Sequence, residues 1–421
     1  VASRARAIPL AVLVGIVAVL VGLRVREARL RRAISATRVT NAAAAAAGRP
    51  SIARAVEPRD AGESASAPLM VHGDPRHTGR ASAVGPRAAH VAWTTRIGAP
   101  IEAQVIASPD ERTLYVAALD GSFTALDAKT GARSFSLSLG GRAYSTPCVS
   151  RDSPPLIYVG SDARWFYAIT PAGAVAWKLE VGGDADTGAV ITPDKLVVFA
   201  AGPSVYAVRS GLAGGDVAWR FDAKKKVYTS PALTPGGNVV FGSQDHHVYA
   251  VTSKGDLAWT TDVGADVDGT PVIADDGSIF VGTDGGEVVH LQASGEVVWR
   301  AQVGGYVRGA LSLARNGDVL AGVYGPSPGV VRVTPHGTVY ATFAVPGTGA
   351  REFGVHGAPL EDETGALFFG AQDDVARGEG PGGSWEWSFP TGGDVDAPLT
   401  LLSSGALVVP SDDGNVVLFA P

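Results

Sequence analysis

A bulky residue returns about every 40–42 residues, eight times along the chain: Trp93, Phe135, Trp177, Trp219, Trp259, Trp299, a weak slot at Ala341 beside Tyr340, and Trp387. A fixed period of this size means a stack of one supersecondary unit. The clearest copy, Tyr228 to Asp262, holds four apolar runs: Tyr228–Leu233, Val239–Gly242, Val248–Val251 and Leu257–Thr261. Each is short, rich in Val, Tyr or Trp, and bounded by Gly, Pro, Asp or Ser, which is the mark of strands joined by tight turns. None is long enough for a helix with a 3.6-residue stripe. Four short antiparallel strands per repeat predict a propeller blade.

The turns fit this reading. Asp120-Gly121, Asp284-Gly285 and Asp413-Gly414 fall between second and third strands, where two-residue hairpin turns with positive φ are expected. Gly131, Gly173, Gly255, Gly295 and Gly337 punctuate the turn before the fourth strand. One glycine per turn accounts for the 54 glycines, and turn geometry explains them better than phosphate binding. The chain opens on a lone Trp strand, His90–Ile97, and closes on Leu407–Ala420, where a Trp strand should follow. The first strand therefore completes the last blade and removes two free sheet edges. Two blades depart from the pattern. The sixth has Ala341 in the Trp slot and an insertion around Pro346–Phe353. The seventh is expected to lose its third strand into Ala376–Gly383.

At these residues the chain resembles the pyrroloquinoline-quinone-type propeller repeat family. The carriers are Tyr115–Gly131 (YVAALDGSFTALDAKTG), Val240–Ser243 with Tyr249–Val251, and the leader His72–Arg80 (HGDPRHTGR). The resemblance covers residues 70–421. It implies an all-β, eight-bladed β-propeller of four-stranded antiparallel blades, closed by N- and C-terminal strands sharing the last blade, with each Trp packing on the neighbouring blade. The architecture is of the WD40/YVTN type. The family includes quinone-dependent dehydrogenases and non-catalytic members such as the outer-membrane assembly propeller lipoprotein. The dehydrogenases cover their cofactor with adjacent cysteines and hold calcium beside it. Here that pair is absent and no calcium-ligand set matches, so neither quinone nor calcium is expected.

Charge divides the chain. Residues 1–60 hold eleven Arg and three acids, against a total of −6. The remainder is strongly acidic, which argues against nucleic-acid binding through its faces. Ile8–Leu23 is uncharged and follows Arg4 and Arg6. At 1.5 Å per residue it spans roughly 24 Å, short of a hydrocarbon layer of about 30 Å unless Ala7 and a snorkelling Arg24 extend it. A cleaved signal peptide and a retained anchor are the two readings. The arginines that follow at 24, 26, 29, 31 and 32 disfavour cleavage. Residues 1–32 are therefore expected to be an apolar helical anchor, 33–69 an Ala-rich disordered linker, and 70–421 the propeller. The flanking arginines pull orientation both ways, and the resemblance places the propeller in the periplasm, on a single-pass inner-membrane anchor. Cys148 is the one cysteine; it excludes an internal disulfide and reads as a small core residue.

Aligning the repeats places one residue per blade at the start of the innermost strand: Glu102, Tyr144, Asp186, Tyr228, Asp268, Arg308, His356 and Asp396. All are polar or carry a polar tip, and in a closed ring they would surround one channel mouth. Next inward stand the smaller Thr146, Gly188, Thr270, Ala310 and Ala358. Clustered carboxylates beside His and Arg suit a cation or a basic side chain, and like charges held close raise a carboxylate pKa. A wet channel mouth needs polar residues in any case. Asp184/Asp186, Asp266/Asp268 and Asp394/Asp396 share a D-x-D pattern with oxygen ligands suited to calcium, but their blades are not neighbours. His246-His247 lacks zinc partners, and no GxSxG nucleophile elbow occurs. The leading expectation is a non-enzymatic, membrane-tethered, monomeric platform for other envelope proteins. The alternatives are a quinoprotein oxidoreductase and a ligand-sensing ectodomain.

Overall fold

The structure is a computed structural model; it describes residues 67–421 except 310 and 348–352, and only the backbone of 341 and 342. The expected anchor and most of the expected linker lie outside the described residues. Among the described residues no helix is long and apolar enough to cross a membrane.

Eight four-stranded antiparallel sheets form. Blade 1 comprises Ile106–Ala107, Thr113–Ala117, Ser122–Asp127 and Arg133–Ser138, and each later blade repeats that order outward from the centre. The innermost strands are shorter than the sequence suggests. In blade 4 only Ala232–Leu233 pairs regularly, and Tyr228 stands in the segment that leads into it. Second and third strands are buried along most of their length, because each blade is covered on both sides by its neighbours. Fourth strands alternate between exposed and half-buried, as in Leu257–Asp262. In blade 8 the inner three strands come from the C-terminus, and Val91–Arg96 supplies the fourth by pairing with Asn415–Phe419.

The aromatic repeat works between blades. In seven blades a β-bulge falls beside the repeat position. A bulge re-aims the side chain beside it. The Trp219 ring lies on Gly255 of the next blade, and Trp259 lies on Gly295. Their indole N–H groups donate to the carbonyls of Ser253 and Ala293, each at 2.9 Å. Trp93, Trp299 and Trp387 make matching bonds to Ala128, Pro335 and Pro86. These rings are half-buried, so the loss of about 3–5 kcal/mol expected for truncating a buried Trp is too large for them. Trp177 is the buried one, and its N–H has no partner. Blade 3 faces it with a longer hairpin, Ser204–Gly211 and Gly214–Asp222, and Gly215 lies under the ring.

Two local expectations change. The turns at Asp120-Gly121, Asp284-Gly285 and Asp413-Gly414 are not two-residue hairpins. Gly121 N–H bonds to the Ala118 carbonyl, and the residue after the turn is left-handed. This is the type I turn plus bulge of a longer hairpin. In blade 5 the left-handed residue is Gly286 rather than Gly285, and His246, Arg164 and Asp374 hold the same conformation elsewhere. The third strand of blade 7 is also intact, over Val375–Glu379. Its glycine is a packing device: Gly378 pairs with Trp387, and a Cβ there would fall 2.4 Å from that ring.

The leader is part of the ring. Ala67 and Leu69 are already buried in the propeller, so its fold starts before residue 70. Carbonyls of Pro68, Leu69, Pro75, Arg76, Thr78 and Gly79 accept N–H bonds from Ala107, Val149, Leu233, Ile273, Leu313 and Glu361. Those donors end the innermost strands of blades 1, 2, 4, 5, 6 and 7. The leader is thus a strap across the far end of the central channel.

Candidate functional site

Strap and ring together make a cup of about 640 Å³. All eight residues aligned from the sequence line it: Glu102, Tyr144, Asp186, Tyr228, Asp268, Arg308, His356 and Asp396. Its floor includes Val71 and His72 of the strap. Its wall is one backbone hydrogen bond repeated in every blade. Leu119, Asp162, Gly202, Gln244, Asp284, Tyr324, Gln372 and Asp412 donate N–H to the carbonyls of Pro100, Arg142, Asp184, Lys226, Asp266, Tyr306, Gly354 and Asp394. Each bond ties a blade's second turn to the segment leading into that blade.

This wall contributes two further sets of lining residues: from the lead-in segments Asp184 and Asp266, already noted in the D-x-D pairs, with Arg142 and Lys226, which the sequence reading missed; and from the turns Asp162, Gln244 and Asp284. The same period carries them, at other offsets. The smaller inward positions have a role of their own. Thr146, Ser230 and Thr270 hydroxyls accept N–H bonds from Gln104, Gly188 and Ser230 of the preceding blades, at 3.1, 2.9 and 3.0 Å.

Eight carboxylates face three Lys/Arg cations in the cup. Arg142 meets Asp162 at 2.9 Å. Lys226 reaches Asp184 and Asp186 at 3.2 and 3.4 Å. Arg308 holds Asp284 through Nε and Nη2 at 2.9–3.1 Å. Gln244 and Gln372 donate to Asp268 and Asp396 at 3.4 and 3.2 Å. Burial, then the neighbouring Asp412 and Asp396, push Glu102 up to about 7. Burial and Asp162 push Asp186 up to about 7. Asp268, Asp394 and Asp412 are each raised to about 6, by burial first and by neighbouring acids second.

The D-x-D pairs do not converge on one ion. Instead Asp184 and Asp186 meet Asp162, close enough for one cation, but the Lys226 ammonium and the Arg142 guanidinium are already against these acids. His246 meets Asp266 at 3.1 Å in its turn. Cys148 is fully buried, and burial pushes its thiol up to about 12.

The architecture and site define a closed eight-bladed propeller with a strapped, acidic central cup. The family model described as outer membrane protein assembly factor BamB matches residues 77–211, 201–304 and 244–341. The chain therefore belongs to that family of PQQ-like propellers. Among solved structures it is similar to BamB from Moraxella catarrhalis, at 16% identity and a TM-score of 0.65, covering 79% of this chain and 99% of that one. It is also similar to Sqt1 from Saccharomyces cerevisiae, at 10% identity and 0.66, covering 78% and 97%. A third likeness is the computationally designed Ika8 protein, at 14% and 0.60, covering 80% and 100%. At these identities the structural likeness speaks to fold alone. No curated protein sequence matches the chain.

Proposed function

We propose that this propeller is a non-enzymatic binding platform of the cell envelope, tethered to the membrane through its N-terminal apolar segment and presenting its cup to partners in the periplasm. The observation that carries the reading is the charge of the cup. Pyrroloquinoline quinone is a tricarboxylate, and a lining of eight carboxylates whose three Lys/Arg residues are already paired would repel it. The residues present do not fit that cofactor. Calcium is disfavoured at Asp162, Asp184 and Asp186 for the complementary reason, since Lys226 and Arg142 supply their counter-charge. Membership of a family described by an assembly factor supports a role in holding other envelope proteins, with the propeller itself a monomer. The apolar run Ile8–Leu23 and the basic flanks support the tether and the inner-membrane address.

The test is photo-crosslinking in native membranes, with the reactive residue placed at Tyr228 in the cup or at Leu212, which is 57% exposed on the blade 3 hairpin. The expected outcome is a discrete adduct with another envelope protein. Dye reduction by the purified protein with the quinone, calcium and an alcohol or sugar, in the absence of any adduct, would replace the platform by an oxidoreductase.

A further inference from the structure

Three alternate blades bring their own cation to the cup, and the next in that series does not. Arg142 leads into blade 2, Lys226 into blade 4 and Arg308 into blade 6. Each pairs with acids of the cup, at 2.9, 3.2 and 2.9 Å. Each also lies by a tyrosine ring: Arg142 by Tyr144 at 5.6 Å, Lys226 by Tyr228 at 4.3 Å, Arg308 by Tyr306 at 5.7 Å. Blade 8 carries Asp394 where blades 2 and 4 have Arg142 and Lys226, and Asp396 where blade 6 has Arg308. Asp412 of its turn and Glu102 of blade 1 complete a group of four carboxyls that act on one another. Among the described residues, none of these four is in a salt bridge with a lysine or arginine.

Two further observations bear on this sector. Asp396 is only 8% exposed and its Oδ1 has no hydrogen-bond partner; Oδ1 of Asp186 and Asp268, at the matching positions of blades 3 and 5, also has none. On the floor of the same cup His72 is 5% exposed and its Nε2 is also unpartnered. Buried polar atoms without partners cost free energy unless something else satisfies them.

We propose that the blade 8 sector of the cup is a receptor for one alkylammonium or guanidinium group brought from outside, the charged end of a lysine or arginine side chain of a bound partner or of a free polyamine. The proposal rests on the platform reading and deepens it. The three cations already in place are the template: a cation held by carboxylates beside a tyrosine. Tyr324, buried and in contact with His356, stands near Asp396 and supplies the matching ring. Burial first, and neighbouring acids second, raise the carboxyls of Glu102, Asp394 and Asp412, which an added cation would offset. A divalent ion needs tighter convergence, and among the described residues the group of three acids close enough for one lies at blades 2 and 3. A cup of about 640 Å³ admits a side chain or a small amine rather than a folded domain.

Isothermal titration calorimetry on the full chain at about pH 8, where the carboxylates are ionised, tests this with four separate probes: acetyl-Gly-Arg-Gly-amide, acetyl-Gly-Lys-Gly-amide, spermidine and calcium chloride. One-to-one binding of an organic cation is expected, weakened about tenfold or more by Asp396→Asn. Asp394→Lys places at blade 8 the cation that blades 2 and 4 carry, and it should raise the melting temperature and abolish the heat. A peptide binding more tightly than spermidine assigns the site to a partner protein, and the reverse order assigns it to a polyamine. Silence with every organic cation, displacement of the organic cations by calcium, or binding unchanged in both variants overturns the proposal. If Asp396→Asn fails to fold, Asp394→Lys decides alone. A crosslinked envelope partner together with silent calorimetry removes this receptor while leaving the platform standing.

Discussion

At the scale of single residues, the repeat glycines answer to two constraints at once. Gly255 has φ +88° and carries the Trp219 ring, with a new Cβ falling 2.8 Å from it. Gly237 has φ +82° and nothing within 4 Å. Gly237→Ala should therefore cost only left-handed strain, about 1–2 kcal/mol. Gly255→Ala adds a displaced ring, for a total of about 2–4 kcal/mol. Denaturant melts of the pair separate the two terms, and equal losses would mean that the Trp seat contributes nothing. Buried histidines of the strap set a second residue-scale expectation. Burial, then the neighbouring His77, lowers His72 to about 3, and burial lowers His77 to about 4. Between these values and the ordinary pKa of about 6.5, the unfolded chain binds more protons than the folded one. Taken alone, this pair lowers stability as pH drops below about 6.5. Its share is the difference between wild-type and His77→Gln thermal melts from about pH 7 to 4, and a variant that gains no ground toward acid would contradict it.

At the scale of elements, the shared blade and the strap are the two ways this ring is held shut. Deleting residues 91–96 strips the fourth strand from blade 8 and bares the edge of Asn415–Phe419. It also removes the Trp93 contact with blade 1. The loss should exceed that of one strand's contacts, read as a lowered melting temperature and association through the open edge. A truncated chain that melts as before would refute closure by the two termini. The elements legible in advance were those the period fixes: Trp strands, turn glycines and the shared blade. Third-strand residues Val375–Glu379 were hidden by their composition, because Gly378 answers to Trp387 and not to local strand propensity. The strap was hidden for a different reason. It offers carbonyls to six inner strands, and a main-chain acceptor leaves no trace in side-chain pattern.

At the scale of the whole molecule, the eight lead-in residues were legible because one period places them at one mouth. Their ion pairs were not, since Lys226–Asp184 and Arg308–Asp284 depend on which turn stands beside which lead-in segment. The acids in and beside the cup make a collective prediction. Glu102 and Asp186 are raised to about 7, and Asp268, Asp394 and Asp412 to about 6. Above an ordinary carboxyl pKa of about 4, the folded protein therefore holds protons that the unfolded chain has released. Their contribution is complete below about pH 4 and is lost as pH rises through about 6–7. The two strap histidines oppose this over the same window, but five raised carboxyls outweigh them, so net stability should fall as pH rises from about 4 to 7. Asp394→Asn with Asp412→Asn should flatten this fall, and a melting profile rising steadily from about pH 5 to 8 would contradict it.

Because every sector of the wall is fastened through main-chain N–H and C=O groups, the charged side chains at the mouth are released from holding the propeller together. Their identities can be rewritten sector by sector at small cost to the scaffold, as the exchange of Arg142 and Lys226 for Asp394 at equivalent positions illustrates. The fold thus works as a fixed frame around an exchangeable interior, and relatives of the same shape need share nothing of what they hold.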